Sequence, residues 1–264
     1  MEAATHAPHL DIPERYAPTL EHPVRVRSRP MDADTAFGYH QHPWAQVAYT
    51  SEGVIRIEVQ DTTWIVPPSR AIWIPARIEH DAQIVEPAYL RTLYIDESVI
   101  PPALDQCRVL EVSPLLRELI VALDTRAPVD PARERLLGRL ILDEIMRSEP
   151  LPLGVPLPSD KRLRALCESI IANPAAGDSL EQLAVDVGAS VRTIARLFRS
   201  ELGSSFSEWR QQAVLAHAIP LLSQGLPLSH VANELGYTSQ SAFTAMFRRA
   251  FGKSPRAFFA KDSS

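Results

Sequence analysis

Two segments near the C-terminal end, residues 178–203 and 228–252, repeat a single pattern. Equivalent residues lie 48 positions apart before the central turn, as Leu183 and Val231 do, and one position further apart after it. Each segment predicts a short helix, a glycine-containing turn and a longer helix that begins after a serine cap. Two helix-turn-helix units in tandem restrict this part of the chain to an all-helical domain.

The longer helix of the first unit has one apolar and one basic face. At about 100° per residue, Leu197 and Phe198 fall on the same side as Ile194. The opposite side carries three arginines, Arg192, Arg196 and Arg199. A guanidinium group can donate two hydrogen bonds to the O6 and N7 atoms of a guanine, or bind a phosphate. This face predicts a helix that reads the major groove of DNA.

The longer helix of the second unit has a weaker outer face. Its inward side is apolar and includes Phe243 and Phe247. Its outward side is short and weakly polar, with Ser241, Thr244, Ala245 and Arg248. We expect this helix to contact fewer bases and to place Arg248 and Arg249 at phosphates.

The charge of the chain is divided unevenly. The net charge is −5. Residues 1–159 hold 15 Lys and Arg against 23 Asp and Glu, a net −8, whereas residues 160–264 hold 12 against 9, a net +3. Attraction to phosphate therefore belongs to the C-terminal part, although a charge of +3 alone does not identify a DNA-binding domain.

The N-terminal part predicts short β-strands between residues 37 and 95. Runs rich in Val, Ile, Trp and Tyr are separated by Pro, Gly, Asp and Ser. The predicted strands are Ala45–Tyr49, Val54–Val59, Thr63–Val66 and Ala71–Ile74. Their spacing predicts a small antiparallel barrel or sandwich, and the alternation along the second run predicts one buried face.

Two amphipathic helices are predicted after the strands. Ser113 caps the first, with Pro114 at its first position, and Asp130-Pro131 begins the second. The predicted apolar stripes are Leu115, Leu116, Leu119, Ile120 and Leu123, then Leu136, Leu137, Leu140, Ile141 and Ile145. A short proline-containing turn joins the helices into a hairpin. The stripes need a cover, either the strands or the hairpin of a second subunit, so a homodimer is expected.

A proline-rich segment predicts the domain boundary. Residues 149–158 include four prolines, which exclude a helix and favour an extended, stiff spacer. The predicted organisation is a strand-rich domain with a helical hairpin over residues 1–148, a linker over 149–159 and an all-α domain over 160–264. The fold class is therefore α+β with two domains.

Residues 160–260 resemble the DNA-binding domain of AraC-type regulators. The similarity is strongest over Val231–Phe243 (VANELGYTSQSAF) and continues through Phe247–Arg256 (FRRAFGKSPR). The resemblance implies two three-helix units joined by a long helix, about Phe206 to Gln224. Their reading helices would enter successive major grooves about 34 Å apart. Pro220 lies inside the connecting helix and predicts a kink there.

The resemblance also implies which residues contact DNA. Base contacts fall on Arg192 and Arg196 in the first unit and on Gln240, Ser241 and Thr244 in the second. The full predicted interface is Ser190, Arg192, Thr193, Arg196, Arg199, Gln240, Ser241, Thr244, Arg248 and Arg249. Ala195 and Ala245 stand where relatives often carry a long polar residue, so only methyl contact with thymine is possible there.

A second resemblance covers residues 38–80. The pattern His40-x-His42-x3-Gln46-x6-Gly53, followed by Pro75-x-Arg77-x2-His80, is similar to a cupin. The resemblance implies that His40, His42, Gln46 and His80 meet inside the barrel, where cupins bind a divalent metal. Imidazole nitrogens suit Fe, Ni, Cu or Zn. Two departures weaken a catalytic metal site, because Gln46 replaces the usual Glu and Arg77 the usual Gly.

Three hypotheses account for these histidines. They could ligate a metal, contact a small organic effector without a metal, or hydrogen bond within the domain as structural residues. The sequence alone leaves the three open.

The favoured function is a sequence-specific transcription regulator that binds an operator in double-stranded DNA. A small molecule or metal in the cupin-like domain would control it by favouring one arrangement of the dimer, and an activator would also contact RNA polymerase. The alternatives are a metal-dependent cupin enzyme with an accessory DNA-binding domain and a nonspecific architectural DNA protein, whose binding depends on salt alone. Gln46 at the carboxylate position argues against the enzyme.

A cytoplasmic protein without a membrane partner is expected. The first residues lack the pattern of a signal peptide, and no run of about 18 apolar residues is present. Cys107 and Cys167 lie 60 positions apart without metal-binding spacing, which is typical of a reducing compartment.

Overall fold

The computed structural model describes residues 12–124, 130–175 and 179–260. Contacts divide the chain into two compact units. The first extends to Leu151, except for residues 61–64, which belong with the second unit from Pro152 onward. The division between Leu151 and Pro152 falls within the segment that predicts a linker.

The strands form two antiparallel sheets. The strands are β1 (Val24–Met31), β2 (Ala45–Thr50), β3 (Ile55–Val59), β4 (Thr62–Val66), β5 (Arg70–Ile74), β6 (His80–Ile84), β7 (Ala88–Ile95), β8 (Arg108–Glu111), β9 (Pro150–Leu151) and β10 (Gly154–Pro156). The larger sheet has the order β1-β7-β2-β5-β8-β9 and the smaller the order β10-β4-β3-β6, in which β10 and the first three residues of β4 are counted with the second unit. The sheets do not close into one barrel but form a cupin-like jelly roll, which confirms the predicted cupin-like domain with its antiparallel barrel or sandwich.

The four predicted strands are present as β2 to β5, each within one residue of its predicted ends. Strand β3 shows the expected alternation, because Ile55, Ile57 and Val59 are buried while Arg56 and Glu58 are half-buried. The sequence prediction specified no strand at β1, β6, β7 or β8. In β1 the sequence VRVRSRPM alternates apolar residues with arginines.

Helices α1 (Pro114–Leu123) and α2 (Pro131–Arg147) begin where the sequence predicts. The Ser113 side chain accepts a hydrogen bond from the Leu116 N–H, and the Asp130 side chain accepts one from the Arg133 N–H. Such caps satisfy backbone donors that the first turn leaves free. The predicted turn between the helices lies at residues 125–129, outside the described residues.

The apolar stripes of α1 and α2 are divided between two surfaces. Leu116, Ile120 and Ile141 are fully buried in a core that they share with the larger sheet. In contrast, 61% of Leu136 and 47% of Leu140 are exposed. The predicted single stripe is therefore a buried stripe beside an exposed apolar one.

The proline-rich segment is extended, but it is not a free spacer. Pro150–Leu151 pairs with β8, and Gly154–Pro156 pairs with Thr62–Trp64 of β4. Val155 is buried in the core of the helical unit. The indole N–H of Trp209 donates a hydrogen bond to the Pro156 carbonyl at 2.6 Å. The segment thus belongs to packed structure on both sides of Pro152.

The second unit is helical beyond β10, as predicted. Its helices are α3 (Lys161–Ala172), α4 (Leu180–Asp186), α5 (Val191–Leu202), α6 (Phe206–Ser223), α7 (Leu228–Glu234), α8 (Gln240–Phe251) and α9 (Pro255–Phe258). The predicted connecting helix is α6, which continues past Pro220 to Ser223. Within the described ranges, no helix combines the length and apolarity needed to cross a membrane.

Both helix-turn-helix turns depend on glycine. Gly188 follows α4 with a φ of 65°, and Gly236 follows α7 with a φ of 76°. This left-handed conformation is strained for other residues. At Gly236 an added Cβ would also lie 3.0 Å from the Ala175 carbonyl oxygen. The repeat therefore preserves the residue that each turn requires.

Replacing Ile141 with alanine should lower the free energy of unfolding by about 2–5 kcal/mol, because it leaves a cavity between α2 and the larger sheet. Chemical denaturation followed by tryptophan fluorescence measures the change. Arg139→Ala is the matched control, since Arg139 is exposed on the same helix and its loss should matter by less than about 0.5 kcal/mol. Equal losses in the two variants would contradict the packing of α2.

Candidate functional site

Helix α5 presents its predicted basic face to solvent. Ile194 and Phe198 are fully buried, and Leu197 is 7% exposed. On the opposite side, Arg192, Arg196 and Arg199 are all exposed. The Phe198 ring packs against Phe206 and Trp209, with ring centroids 5.6 and 5.8 Å apart. Because these contacts fix the rotation of α5, the three guanidinium groups point away from the core.

The start of α5 is a capped turn. The Ser190 hydroxyl accepts a hydrogen bond from the Thr193 N–H at 3.1 Å and lies 2.9 Å from the Thr193 hydroxyl. Both hydroxyls are therefore engaged with the helix itself. Ser190 remains exposed and Thr193 half-buried, at the helix end where a reading helix enters the groove.

Helix α8 repeats this arrangement with a less basic surface. Phe243 and Phe247 are fully buried, and Ser239 caps the helix through the Ala242 N–H. Gln240, Ser241, Arg248 and Arg249 are exposed and Thr244 is half-buried. Ala245 is exposed in the middle of this face. Each predicted contact residue thus lies on the outer side of α5 or α8.

Three histidines meet in the first unit. His40 and His80 exchange two backbone hydrogen bonds, N–H to O, at 3.0 and 2.9 Å, and their ring centroids lie 4.3 Å apart. The His42 ring lies 5.2 Å from that of His80. All three residues are buried, His80 completely. The structure therefore brings together the three histidines that the cupin-like pattern predicts.

Backbone carbonyls fix the orientation of each histidine ring. The Nδ1 atoms of His40, His42 and His80 lie 2.7–2.9 Å from the carbonyl oxygens of Gly38, Trp44 and Ile78. Because a carbonyl oxygen only accepts, the proton is on Nδ1 and the Nε2 lone pair is free. One ring nitrogen from each histidine lies within 4.8 Å of the others. Three lone pairs therefore converge on one point.

Burial favours the neutral form of two of these rings, His42 and His80. It lowers the pKa of His80 to about 3, and it also lowers the pKa of His42. The Nε2 atom of His80 is buried without any hydrogen-bond partner. A neutral imidazole with a free, dry lone pair is the form that ligates a metal ion.

Gln46 completes the cluster. Its Oε1 atom lies 3.0 Å from Nε2 of His42. Two lone pairs at this distance repel each other, unless the amide turns its NH2 group toward the ring or a cation lies between them. Both alternatives are consistent with a buried Gln46 at the position where cupins carry a carboxylate.

The donor set has the chemistry of a divalent metal site, because imidazole nitrogens are suitable ligands for such ions. In a tetrahedral site with metal–nitrogen bonds of about 2.0–2.1 Å, two nitrogens lie about 3.4 Å apart. The histidine nitrogens lie within 4.8 Å of one another, so the rings would move closer together around an ion. The carbonyl contacts on Nδ1 are the outer-shell bonds that orient metal-bound histidines.

Arg77 does not obstruct the site. Its φ is 61°, in the left-handed region that favours the glycine of the cupin pattern. Its side chain is 62% exposed and forms an ion pair with Glu97 at 2.6 Å. The backbone conformation is retained and only the side chain differs, so this departure does not by itself weaken the site.

The sequence prediction missed several residues of the space beside the cluster. His40 and Gln46 line a cavity between the sheets together with Arg29, Thr92 and Tyr94. Thr92 and Tyr94 lie on β7 and Arg29 on β1, where no strand was specified in advance. The alternating arginines of VRVRSRPM were the one available signal.

Comparison with known proteins identifies both units. Residues 22–148 match the AraC-like ligand binding domain, and residues 183–261 match a helix-turn-helix domain. The HTH-type transcriptional regulator NimR of Escherichia coli is 35% identical over 225 residues, which cover 84% of this chain and 82% of NimR. The arabinose operon regulatory protein of the same organism is 30% identical over 127 residues, 47% of this chain and 44% of that protein.

A solved structure of an AraC-type DNA-binding regulator from Chromobacterium violaceum is also similar. It is 28% identical, with a TM-score of 0.35, over 38% of this chain and 89% of that one. From the match to NimR and the two domain matches together, the chain belongs to the AraC family of transcription regulators, with a ligand-binding domain ahead of its helix-turn-helix domain.

Proposed function

We propose that this regulator recognises its operator mainly through α5 and is controlled by a ligand held between the sheets of its N-terminal domain. The observation that carries the proposal is the basic face of α5, with three exposed arginines opposite the buried Ile194 and Phe198. Arg192 and Arg196 would contact base edges in the major groove. Arg199, Ser190 and Thr193 would contribute contacts around them.

The second unit would mainly anchor the domain. Gln240, Ser241 and Thr244 can hydrogen bond to bases, but Ala245 offers only a methyl group in the middle of the face. Arg248 and Arg249 would bind phosphates, which fix position without reading sequence. Recognition should therefore be strong in one half of the binding site and weak in the other.

The histidine cluster would hold a divalent metal. His40, His42 and His80 would supply Nε2, and Gln46 would supply Oε1. A bound ion would provide positive charge and open coordination positions for an oxygen of an effector. The orphaned Nε2 of His80 supports this assignment, because a buried structural histidine normally pairs both nitrogens.

An enzymatic role is not part of the proposal. The relatives are transcription regulators, which points away from an enzyme. Within the described residues, the groups that line the cavity include no carboxylate to act as a general base.

The exposed stripe on the helical hairpin would be a dimer interface. Leu136 and Leu140 lie one turn apart on α2 and are largely exposed. Paired apolar helix faces of this kind associate in helical bundles. A cytoplasmic homodimer would bind two operator half-sites, and as an activator it would also contact RNA polymerase.

Selection of bound sites from random DNA tests the proposal as a whole. A shared motif should be enriched, and its information should be concentrated in the half that α5 contacts. A nonspecific architectural protein would enrich no motif and would bind all DNA with the same steep dependence on salt.

Arg192→Ala should weaken operator binding by about 1–3 kcal/mol and relax the preference at one base pair. Arg162→Ala removes the same charge from an exposed position on α3, so it matches the general electrostatic loss without touching a reading helix. Titration of both variants against the selected operator and single-base variants measures the difference. An unchanged preference in Arg192→Ala would contradict the role of α5.

The purified protein, loaded with Co²⁺ or Zn²⁺ and dialysed, should retain about one ion per chain by elemental analysis. His80→Ala should lose the ion, whereas Gln46→Glu should bind it more tightly because a carboxylate is the stronger ligand. His230→Ala, an exposed histidine on α7, is the control. Equal metal content in His80→Ala and the parent protein would exclude this site.

The double variant Leu136→Glu/Leu140→Glu should shift the protein from dimer to monomer, because it places charges in an apolar contact. Sedimentation velocity measures the mass. Val185→Glu changes another exposed apolar residue, on α4 of the other unit, and should leave the mass unchanged. A dimer that persists in the double variant would place the interface elsewhere.

A further inference from the structure

Strand β1 directs two arginines into the space between the sheets. In the register of β1 with β7, Arg27 lies opposite Thr92 and Arg29 opposite Leu90. Residues that lie opposite each other in adjacent strands share a face of the sheet, and so do alternate residues of a strand. Thr92 and Leu90 line the interior cavity, and Arg29 lines it with them. Arg27 therefore shares this inner face with Arg29.

These two guanidinium groups differ from their neighbours on the same sheet. Arg25, also on β1, pairs with Glu134, and Arg91 on β7 pairs with Asp124. Among the ion pairs of the described residues, none includes Arg27 or Arg29. Nη1 of Arg27 and Nε of Arg29 are buried without a hydrogen-bond partner. Arg27 also shares a side-chain hydrogen bond with the uncharged Tyr94, so neither arginine has a counter-charge among the described residues.

The aromatic neighbours do not neutralise these charges. Arg29 lies over the Phe37 ring at 5.0 Å and Arg27 over the Tyr16 ring at 5.5 Å. A ring face attracts a cation, but it carries no net negative charge. Burial, and secondly the charge of Arg27, lower the pKa of Arg29. The environment of Arg29 therefore disfavours its charged form. An anion bound beside it would stabilise that form.

Part of the cavity wall is apolar. Phe37, Ile55, Ile57 and Leu90 line it beside Arg29. The cavity is narrow, and the centre of a water molecule fits in only about 20 Å³ of it. A long-chain or polycyclic ligand is too large for such a space. A carboxylate with a tail of a few carbon atoms would place its negative charge at the arginines and its tail against the apolar side chains.

We propose that the interior of the N-terminal domain binds a small aliphatic carboxylate, whose anionic group is held by Arg29 with Arg27 beside it and whose tail contacts Phe37, Ile55 and Ile57. This inference rests on the proposed function, since it names the chemical class of the effector. His40 and Gln46 of the histidine cluster line the same cavity as Arg29, so the carboxylate would share the cavity with them.

Thermal unfolding of the full chain with acetate, propionate and butyrate tests the inference. Acetamide, propionamide and butyramide are neutral probes of matched shape. At concentrations about 100 times Kd, a carboxylate should raise Tm by about 5 °C or more, and the amides should not. Equal effects of acids and amides would overturn the inference.

Arg29→Gln separates a binding role from a structural one. It should abolish the shift that carboxylates cause. Without ligand it should raise Tm by about 2–4 °C, because it removes a half-buried charge that has no counter-charge among the described residues. A lower Tm without ligand, or a retained carboxylate shift, would contradict the inference. Arg56→Gln, on the outer side of β3 and bonded to Gln83, is the control and should retain the shift.

Two further arms identify the source of any failure. With EDTA present, the rise in Tm caused by carboxylates should persist. If that rise survives in Arg29→Gln but disappears with EDTA, a bound metal and not Arg29 holds the carboxylate, which would overturn the inference. Operator binding is measured on the same samples. If the parent protein binds its operator but no carboxylate shifts Tm, the anion inference fails alone. Absence of operator binding would instead refute the proposed function.

Discussion

The packing of Phe198 fixes which side of α5 faces solvent, and the exposed surface of the helical domain depends on it. Its ring is fully buried between Phe206 at the start of α6 and Trp209 one turn later. This contact fixes the rotation of α5 about its axis, so the arginine side must face outward. Trp209 in turn holds the Pro156 carbonyl, which joins the proline-rich segment to the same core. One aromatic cluster therefore orients α5 and anchors the proline-rich segment.

In the N-terminal domain, backbone groups fix the orientation of polar side chains. Three carbonyl oxygens set the tautomer of three histidines, and one β-bridge brings two of the rings together. The result is a small polar centre inside an otherwise apolar space. Helices α1 and α2 cover the outer face of the larger sheet and leave this inner face free for a ligand.

The sequence predicted the features that depend on local or repeated patterns. Caps at Ser113 and Asp130 and the tandem units follow from residues close together along the chain. The sequence could not reveal which leucines of α2 face the sheet, because burial depends on the partner surface. Nor could it show the inward arginines of β1, since a charged residue in an alternating strand is normally solvent-facing. The jelly-roll arrangement of the sheets depends on long-range pairing such as β1 with β7, which periodicity does not encode.

The lack of an acidic residue among the proposed metal ligands has an electrostatic consequence. Three imidazoles and one amide cannot cancel the charge of a divalent ion, so an ion bound there would keep its full charge beside Arg29. An anion in the cavity would offset that charge in a medium of low dielectric constant, where the attraction is strong. Metal and carboxylate would then be thermodynamically linked ligands. Each would raise the affinity of the domain for the other by the same factor, so the regulator would respond to their joint presence.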